Sequence, residues 1–161
     1  MPDPGIILVE AKDKDDFNEA SKLFTEYESG LGIDLEFQNF REELETISIQ
    51  YGKPNGVLIL AKSSELKIIG CAGVRRYEGS ICELKRMYIK PEARGLGLGK
   101  ILLRKSVEIA TELGYSKMRL DTLPDMKKAI KMYEGEQFHE IEAYRYNPIK
   151  GARYYEKDLT Y

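Results

Sequence analysis

Arg94-Gly95-Leu96-Gly97-Leu98-Gly99-Lys100 lies between an apolar run with strand character, Ile81 to Ile89, and an amphipathic run with helical periodicity, Leu98 to Leu113. Alternate glycines at a helix N-terminus let backbone N–H groups converge, and glycine admits both the dihedrals and the close approach that a cradle requires. The helix dipole adds to the attraction for a phosphate or pyrophosphate. Two familiar phosphate loops do not fit. A dinucleotide fingerprint counted from Gly95 and Gly97 needs its last glycine where Lys100 stands. A P-loop needs a longer gap between its glycines and a Ser or Thr after its lysine, whereas Ile101 follows Lys100.

Upstream of this loop, Val57 to Lys62, Lys67 to Arg75 and Ile81 to Ile89 read as strands joined by polar turns at Ser63-Ser64-Glu65 and Glu78-Gly79-Ser80. Such short connections imply antiparallel neighbours. Before them come a strand candidate, Ile6 to Ala11, and two amphipathic helices. Phe17, Ala20, Phe24, Tyr27 and Leu31 mark the apolar face of the first helix, from Asp13 to Ser29. Phe37, Phe40, Leu44, Ile47 and Tyr51 mark the second, which ends at Gly52-Lys53-Pro54-Asn55-Gly56. Downstream, Gly114 sits where a helix-terminating glycine belongs. Lys117 to Leu123 is a strand candidate, a helix starts at Pro124 or Asp125 and runs to about Glu134, and Gln137 to Ala143 and Ala152 to Leu159 are the last strands. The order βααβββαβαββ predicts an α/β (α+β) fold in one domain, 1–161: a mixed, mainly antiparallel twisted sheet of about seven strands flanked by about four helices.

Length and composition agree. A chain of 161 residues suits one domain, and 42% apolar with 32% charged residues describes a soluble globular protein. A net charge of −2 without a Lys/Arg run gives nucleic acid no general electrostatic attraction. The longest apolar run, Val57-Leu58-Ile59-Leu60-Ala61, is too short for a bilayer. Met1 to Glu10 lacks the basic start and apolar stretch of a secretory signal, so a cytoplasmic protein is expected, with Cys71 and Cys82 reduced. The lone histidine, His139, makes a His-based metal cluster or a catalytic triad implausible. It reads as a surface residue on a late strand, and no metal is expected.

At Arg94, Gly97 and Gly99 the chain resembles the GNAT superfamily of N-acetyltransferases, whose signature is Arg/Gln-x-x-Gly-x-Gly/Ala. The resemblance extends to Cys82-Glu83-Leu84-Lys85-Arg86-Met87-Tyr88-Ile89-Lys90-Pro91, similar to the strand before the family's loop. It extends also to Ala129-Ile130-Lys131-Met132-Tyr133 followed by Phe138, similar to the family's last helix and next strand. The element order matches over nearly the whole chain. A closer resemblance is to a bacterial subgroup with segments like Leu84 to Tyr88, Arg119 to Pro124, and Asn147-Pro148-Ile149 with Gly151.

The resemblance implies an acyl-CoA-dependent N-acyltransferase that moves acetyl from acetyl-CoA to an amine by direct attack in a ternary complex, without a metal. Arg94, Gly95, Leu96, Gly97, Leu98, Gly99 and Lys100 would hold the CoA pyrophosphate, and the backbone of Met87, Tyr88 and Ile89 would receive the pantetheine arm like an added strand. In the family two neighbouring strands splay apart there, freeing backbone groups for the cofactor and the thioester oxygen. Glu83 stands four residues before Met87, so regular alternation puts both on one face, about 13 Å apart. There a carboxylate is a candidate base for the amine. Tyr133 matches the family tyrosine that serves the departing sulfur.

Plainer readings stand beside these. Glu83 also reads as a strand residue paired with Lys85 or Arg86, and Tyr133 as core with Met126, Ile130 and Phe138. A CoA-binding regulatory module without turnover would keep Gly95 to Gly99 but would need neither Glu83 nor Tyr133. Two positions depart from the family pattern. Met126 stands where an asparagine often helps hold the cofactor, and Gln137 replaces the glycine before the phenylalanine, which predicts a rearranged turn.

The expected acceptor is a small-molecule amine or a protein amine, with specificity expected from the first two helices, the turn near Arg75-Arg76-Tyr77 and the last strands. Tyr144, Tyr146, Tyr154, Tyr155 and Tyr161, with Arg145 and Arg153, form either a tyrosine-rich sheet edge, which would suit a homodimer, or an arginine-bearing mouth for an amine that also carries a carboxylate.

Overall fold

The structure, a computed structural model, describes residues 5–159, and the side chain of Phe37 is also outside the description. Tyr161 of the expected tyrosine cluster therefore lies outside the described residues. The elements are β1 (Ile7–Glu10), α1 (Lys14–Leu31), α2 (Phe40–Glu45), α3 (Ile47–Gln50), β2 (Val57–Lys62), β3 (Ile68–Glu78), β4 (Ile81–Ile89), α4 (Leu98–Glu112), β5 (Lys117–Thr122), α5 (Lys127–Gly135), β6 (His139–Ile141) and β7 (Arg153–Asp158). They build a 7-stranded sheet in the order β1-β2-β3-β4-β5-β7-β6. Of its pairs only β4–β5 is parallel; the others are antiparallel. The expected mixed, mainly antiparallel sheet is present, with five α-helices among the described residues where about four were expected.

The extra helix comes from the segment expected to be one amphipathic helix from Phe37 to Tyr51. It is a 3-10 turn, Leu35–Gln38, followed by two short helices. Asn39 sits between turn and helix at φ 58, a left-handed conformation that asparagine tolerates better than most residues. Thr46 separates α2 from α3 at φ −117, and its hydroxyl donates to the Glu42 carbonyl at 2.7 Å, which competes with helix continuation. The apolar spacing was sound, because Phe40, Ile47 and Tyr51 are all buried, but local backbone chemistry cut the helix.

The sheet is covered on both faces. Along β2, Val57, Ile59 and Ala61 join a core that takes in Leu98, Leu102, Leu103 and Ile109 of α4 and Ile130 and Tyr133 of α5. Leu58 and Leu60 point the other way, into a second core with Phe17, Ala20, Leu23 and Phe24 of α1 and Phe40, Ile47 and Tyr51. Strict period-two alternation in an all-apolar strand is what a sheet sandwiched between helices produces. Each fully buried large side chain contributes about 1.5–3 kcal/mol, so both layers are needed for a stable domain. Cys71 and Cys82 are free and buried, one in each core. Burial pushes both thiols up to about 12. His139 is exposed on β6, as expected. No helix among the described residues is long and apolar enough to cross a membrane.

Candidate active site

β4 and β5 are in register only from Ile81↔Lys117 to Glu83↔Arg119, whereas β5 stays paired with β7 as far as Thr122↔Arg153. Two residues further, the same register would set Lys85 opposite Asp121. The strands have parted there and only the side chains still approach, Lys85 Nζ lying 3.7 Å from Asp121 Oδ1. A cavity of about 50 Å³ occupies the fork, with Tyr27, Gln38, Lys85, Asp121 and Asn147 among its walls.

The fork coincides with a bulge in β4. Pairing with β3 passes from Gly73↔Lys85 to Cys71↔Tyr88, so β4 carries an extra residue, and Arg86 takes φ 57. A bulge bends its strand and breaks alternation. The expectation that Glu83 and Met87 share a face is therefore corrected: Cys82 and Leu84 precede the bulge on the α4–α5 face, Met87 and Ile89 follow it on that same face, and Glu83 and Lys85 look toward the other layer.

That other layer holds a network of buried charges. Arg86 donates to both oxygens of Glu43, at 2.7 and 3.0 Å, and Tyr51 donates to the same carboxylate at 2.7 Å. Gly73 makes this possible, since a Cβ there would sit 2.6 Å from the Tyr51 ring. Arg75 donates to Glu83 Oε1 at 3.2 and 3.3 Å and to Gln50 at 2.6 Å. Tyr144 donates to Glu83 Oε2 at 2.8 Å, and Arg145 donates to the same oxygen. Burial alone would raise the Glu83 pKa, but Lys85, Arg145 and Arg75 outweigh it and hold the carboxyl at about 2. Glu83 is thus ionised and a weak proton acceptor, and its partners differ from those read in the sequence: Arg86 is taken by Glu43. Lys85, buried, is pushed down to about 8 against the pull of Glu83 and Asp121.

The glycine loop lies at the other end of β4. Gly95 and Gly97 take φ 85 and 78, and nothing lies within 4 Å of where their Cβ atoms would be. Gly97 is the N-cap of α4 and offers no side chain to cap it, so the first-turn amides of Leu98, Gly99 and Lys100 face outward for an anion. Arg94 ties the loop to β4, donating to the Ile89 carbonyl at 3.0 Å with its guanidinium 5.7 Å from the Tyr88 ring centre. Leu96 is half exposed while Leu98 is buried under the loop. The open glycine backbone, outward amides and strand edge vacated by β5 fit a pyrophosphate with an extended arm.

Tyr133 is on α5, 7% exposed, with its ring against Phe138 and Tyr155. Burial raises its hydroxyl pKa, with Tyr27 and Asp121 adding to the effect. The turn after it is not rearranged. Phe138 N–H bonds the Tyr133 carbonyl at 3.0 Å and Gln137 N–H the Glu134 carbonyl at 3.2 Å, the pattern of a helix closed by a left-handed residue, and Gln137 takes that conformation at φ 74. Met126 accepts a long contact, 3.5 Å, from the Thr122 hydroxyl.

Of the expected mouth, Arg145 lines an open pocket of about 430 Å³ together with Arg75, Arg76 and Tyr77, and Arg153 lies elsewhere. Arg145 serves Glu83, and Arg153 donates to both oxygens of Glu140 at 2.8 and 3.1 Å. Tyr154 and Tyr155 are buried, Tyr144 packs between Tyr77 and Tyr154, and Tyr146 alone of the described cluster is highly exposed, at 78%. Sequence reasoning missed Glu43, Arg86 and Asp121 as site residues. Asp121 had a readable signal: an acidic residue in a strand whose alternate positions, Met118 and Leu120, are apolar, two residues beyond Arg119 on the same face.

Residues 17–138 match the model of the acetyltransferase (GNAT) family. An uncharacterised N-acetyltransferase of Schizosaccharomyces pombe is 37% identical over 150 residues, covering 92% of this chain and 90% of the relative. An uncharacterised N-acetyltransferase of Escherichia coli K12 is 33% identical over 118 residues, covering 71% and 70%. Among solved structures, an acetyltransferase of the GNAT family from Staphylococcus aureus Mu50 is similar in fold, with a TM-score of 0.78 at 24% identity over 96% of this chain and 99% of that one.

Proposed function

The chain belongs to the acetyltransferase (GNAT) family and is an N-acetyltransferase, and we propose that it passes acetyl from acetyl-CoA directly to the amine of a small molecule while both are bound. The fork between β4 and β5 carries this proposal. It joins the layer of α4 and α5, with the glycine loop and Tyr133, to the layer of α1 to α3, where Lys85 and Asp121 line a cavity.

Acetyl-CoA supplies an activated acyl group. The first-turn amides of α4, the loop from Gly95 to Gly97 and the flanking Lys100 would hold its pyrophosphate. Met87, Tyr88 and Ile89 lie on the stretch of β4 that β5 has left, and their backbone would receive the extended arm as a strand partner. Tyr133, kept protonated by burial, has a proton available for the departing sulfur. Glu83 acts here as an anchor that fixes Tyr144 and Arg145 against the sheet, a role its strong donors support better than that of a base.

Mixing the protein with acetyl-CoA and a panel of primary amines, and following free thiol, tests the proposal. Amine-dependent thiol release with intersecting double-reciprocal plots is expected for direct transfer. Parallel plots would instead require an acyl-enzyme, and release with no amine in the panel would remove the small-molecule acceptor.

A further inference from the structure

Asp121 Oδ2 is buried and has no hydrogen-bond partner, in a side chain only 8% exposed. Buried carboxylate oxygens are normally satisfied, because leaving one bare costs about 1–3 kcal/mol or more. Its other oxygen faces Lys85 at 3.7 Å, beyond hydrogen-bond distance, while Lys85 donates to Gln38 at 3.1 Å. The lysine therefore offsets part of the charge and leaves the acceptor capacity unused. Asp121 is also a wall of the fork cavity, which at about 50 Å³ has room for one ammonium group with its carbon, or for one water.

We propose that Asp121 receives the ammonium of a small primary-amine acceptor in the cavity between β4 and β5. The occupant must be a donor, must be small at its leading end and gains most if it is cationic; a primary ammonium meets all of these. Tyr27, Gln38 and Asn147, from α1, the turn after it and the β6–β7 segment, line the same cavity and select the rest of the molecule, beside Lys85 and Arg86, the latter already paired with Glu43. The bound ammonium has to give up a proton, to water or to the Asp121 carboxylate itself, before its nitrogen can attack a thioester.

The inference rests on the acyl-transfer reading above, and its test separates the two. n-Propylammonium, with n-propanol as the uncharged control, is titrated into the wild type, Asp121→Asn and Asp121→Glu, and the same amine is offered with acetyl-CoA in the thiol assay. The wild type is expected to bind n-propylammonium and not the alcohol. Asp121→Asn is expected to lose at least about tenfold in amine affinity, with CoA affinity unchanged, and Asp121→Glu to keep part of it. Melting curves show whether each variant is folded. Equal amine affinity in wild type and Asp121→Asn, or no binding by the wild type, overturns the assignment. Asp121-dependent binding without transfer leaves the ammonium site standing and removes direct transfer to a small amine held there. Transfer with the same amine KM in both proteins does the reverse.

Discussion

Glu43 on α2 holds the guanidinium of Arg86, the left-handed residue at the bulge of β4, through two hydrogen bonds of 2.7 and 3.0 Å. Both side chains are almost fully buried, 1% and 3% exposed. A non-glycine residue with positive φ costs about 1–2 kcal/mol, and this pair keeps Arg86 there. The bulge in turn lies where β4 and β5 separate, so a short helix far along the chain from the glycine loop fixes the opening that the loop serves.

Removing one partner of such a pair strands the other charge. Glu43→Gln is expected to lower stability by about 3–5 kcal/mol in chemical denaturation. The double variant Glu43→Leu, Arg86→Met should recover much of that loss, since an apolar pair avoids desolvating two ions. If the double variant is no more stable than the single one, the pair is more than a charge lock.

Glu83 makes a pH prediction. Its folded pKa of about 2 lies below the ordinary 4.5, so its contribution is complete above about 4.5 and is lost as pH falls toward about 2. The full difference is on the order of 3 kcal/mol. Wild-type melting temperature should fall more steeply than that of Glu83→Gln across that window. The same low pKa predicts that no step in the rate profile above about pH 4 belongs to Glu83. A rate step near neutrality that disappears in Glu83→Gln would restore it as the base.

Much of this was legible in the sequence and some was not, for identifiable reasons. Val57–Lys62 has the expected bounds because a short, nearly all-apolar run reads as a strand between two layers, and Ile81–Ile89 because Gly79-Ser80 and Pro91 punctuate its ends. The glycine loop was readable because its need for positive φ is written in residue type. The bulge was not: Arg86 shows no propensity for positive φ, and the signal lies in a partner 43 positions away. The split of the second helix and the placement of Glu83 failed for the same reason, since periodicity counts residues and a single irregular residue shifts the count.

Gln137 shows the converse, a residue type at odds with its backbone. At φ 74 it closes α5 where glycine would be unstrained. Gln137→Gly is expected to stabilise the fold by about 0.5–1 kcal/mol, the relief of strain less the added flexibility of the unfolded chain. Transfer kinetics should not change, because Phe138 and Tyr133 keep their positions. A destabilised Gln137→Gly would mean that the glutamine side chain makes a compensating contact.

Gly97→Val separates the loop from the fold. At φ 78 a β-branched residue is strained wherever its side chain points, and the valine also intrudes on the approach to the first-turn amides. CoA affinity should fall by at least about tenfold, and stability by about 1–2 kcal/mol. Calorimetry on a variant that still melts cooperatively checks this; unchanged CoA affinity would take the pyrophosphate away from this loop.

Tyr133→Phe tests the hydroxyl by itself. The ring is packed against Phe138 at 5.9 Å and Tyr155 at 6.4 Å between centres, and phenylalanine keeps those contacts, so melting should change little. Burial raises the hydroxyl pKa, with Tyr27 and Asp121 adding to the effect, so the proton is on the oxygen throughout the working pH range. A buried, fully protonated phenol is a poor base and a usable acid, which restricts it to giving a proton or a hydrogen bond. Such help appears in the transition state and leaves ground-state affinity unchanged, so turnover should fall while CoA binding does not. The expected loss is about 10²–10⁴-fold if proton delivery to sulfur limits the rate. Product release can mask that loss in steady state, so the deciding measurement is single-turnover acyl transfer with enzyme in excess. A single-turnover rate equal to wild type, in a protein that melts normally, would make Tyr133 a packing residue of the α5 core and move proton delivery to solvent.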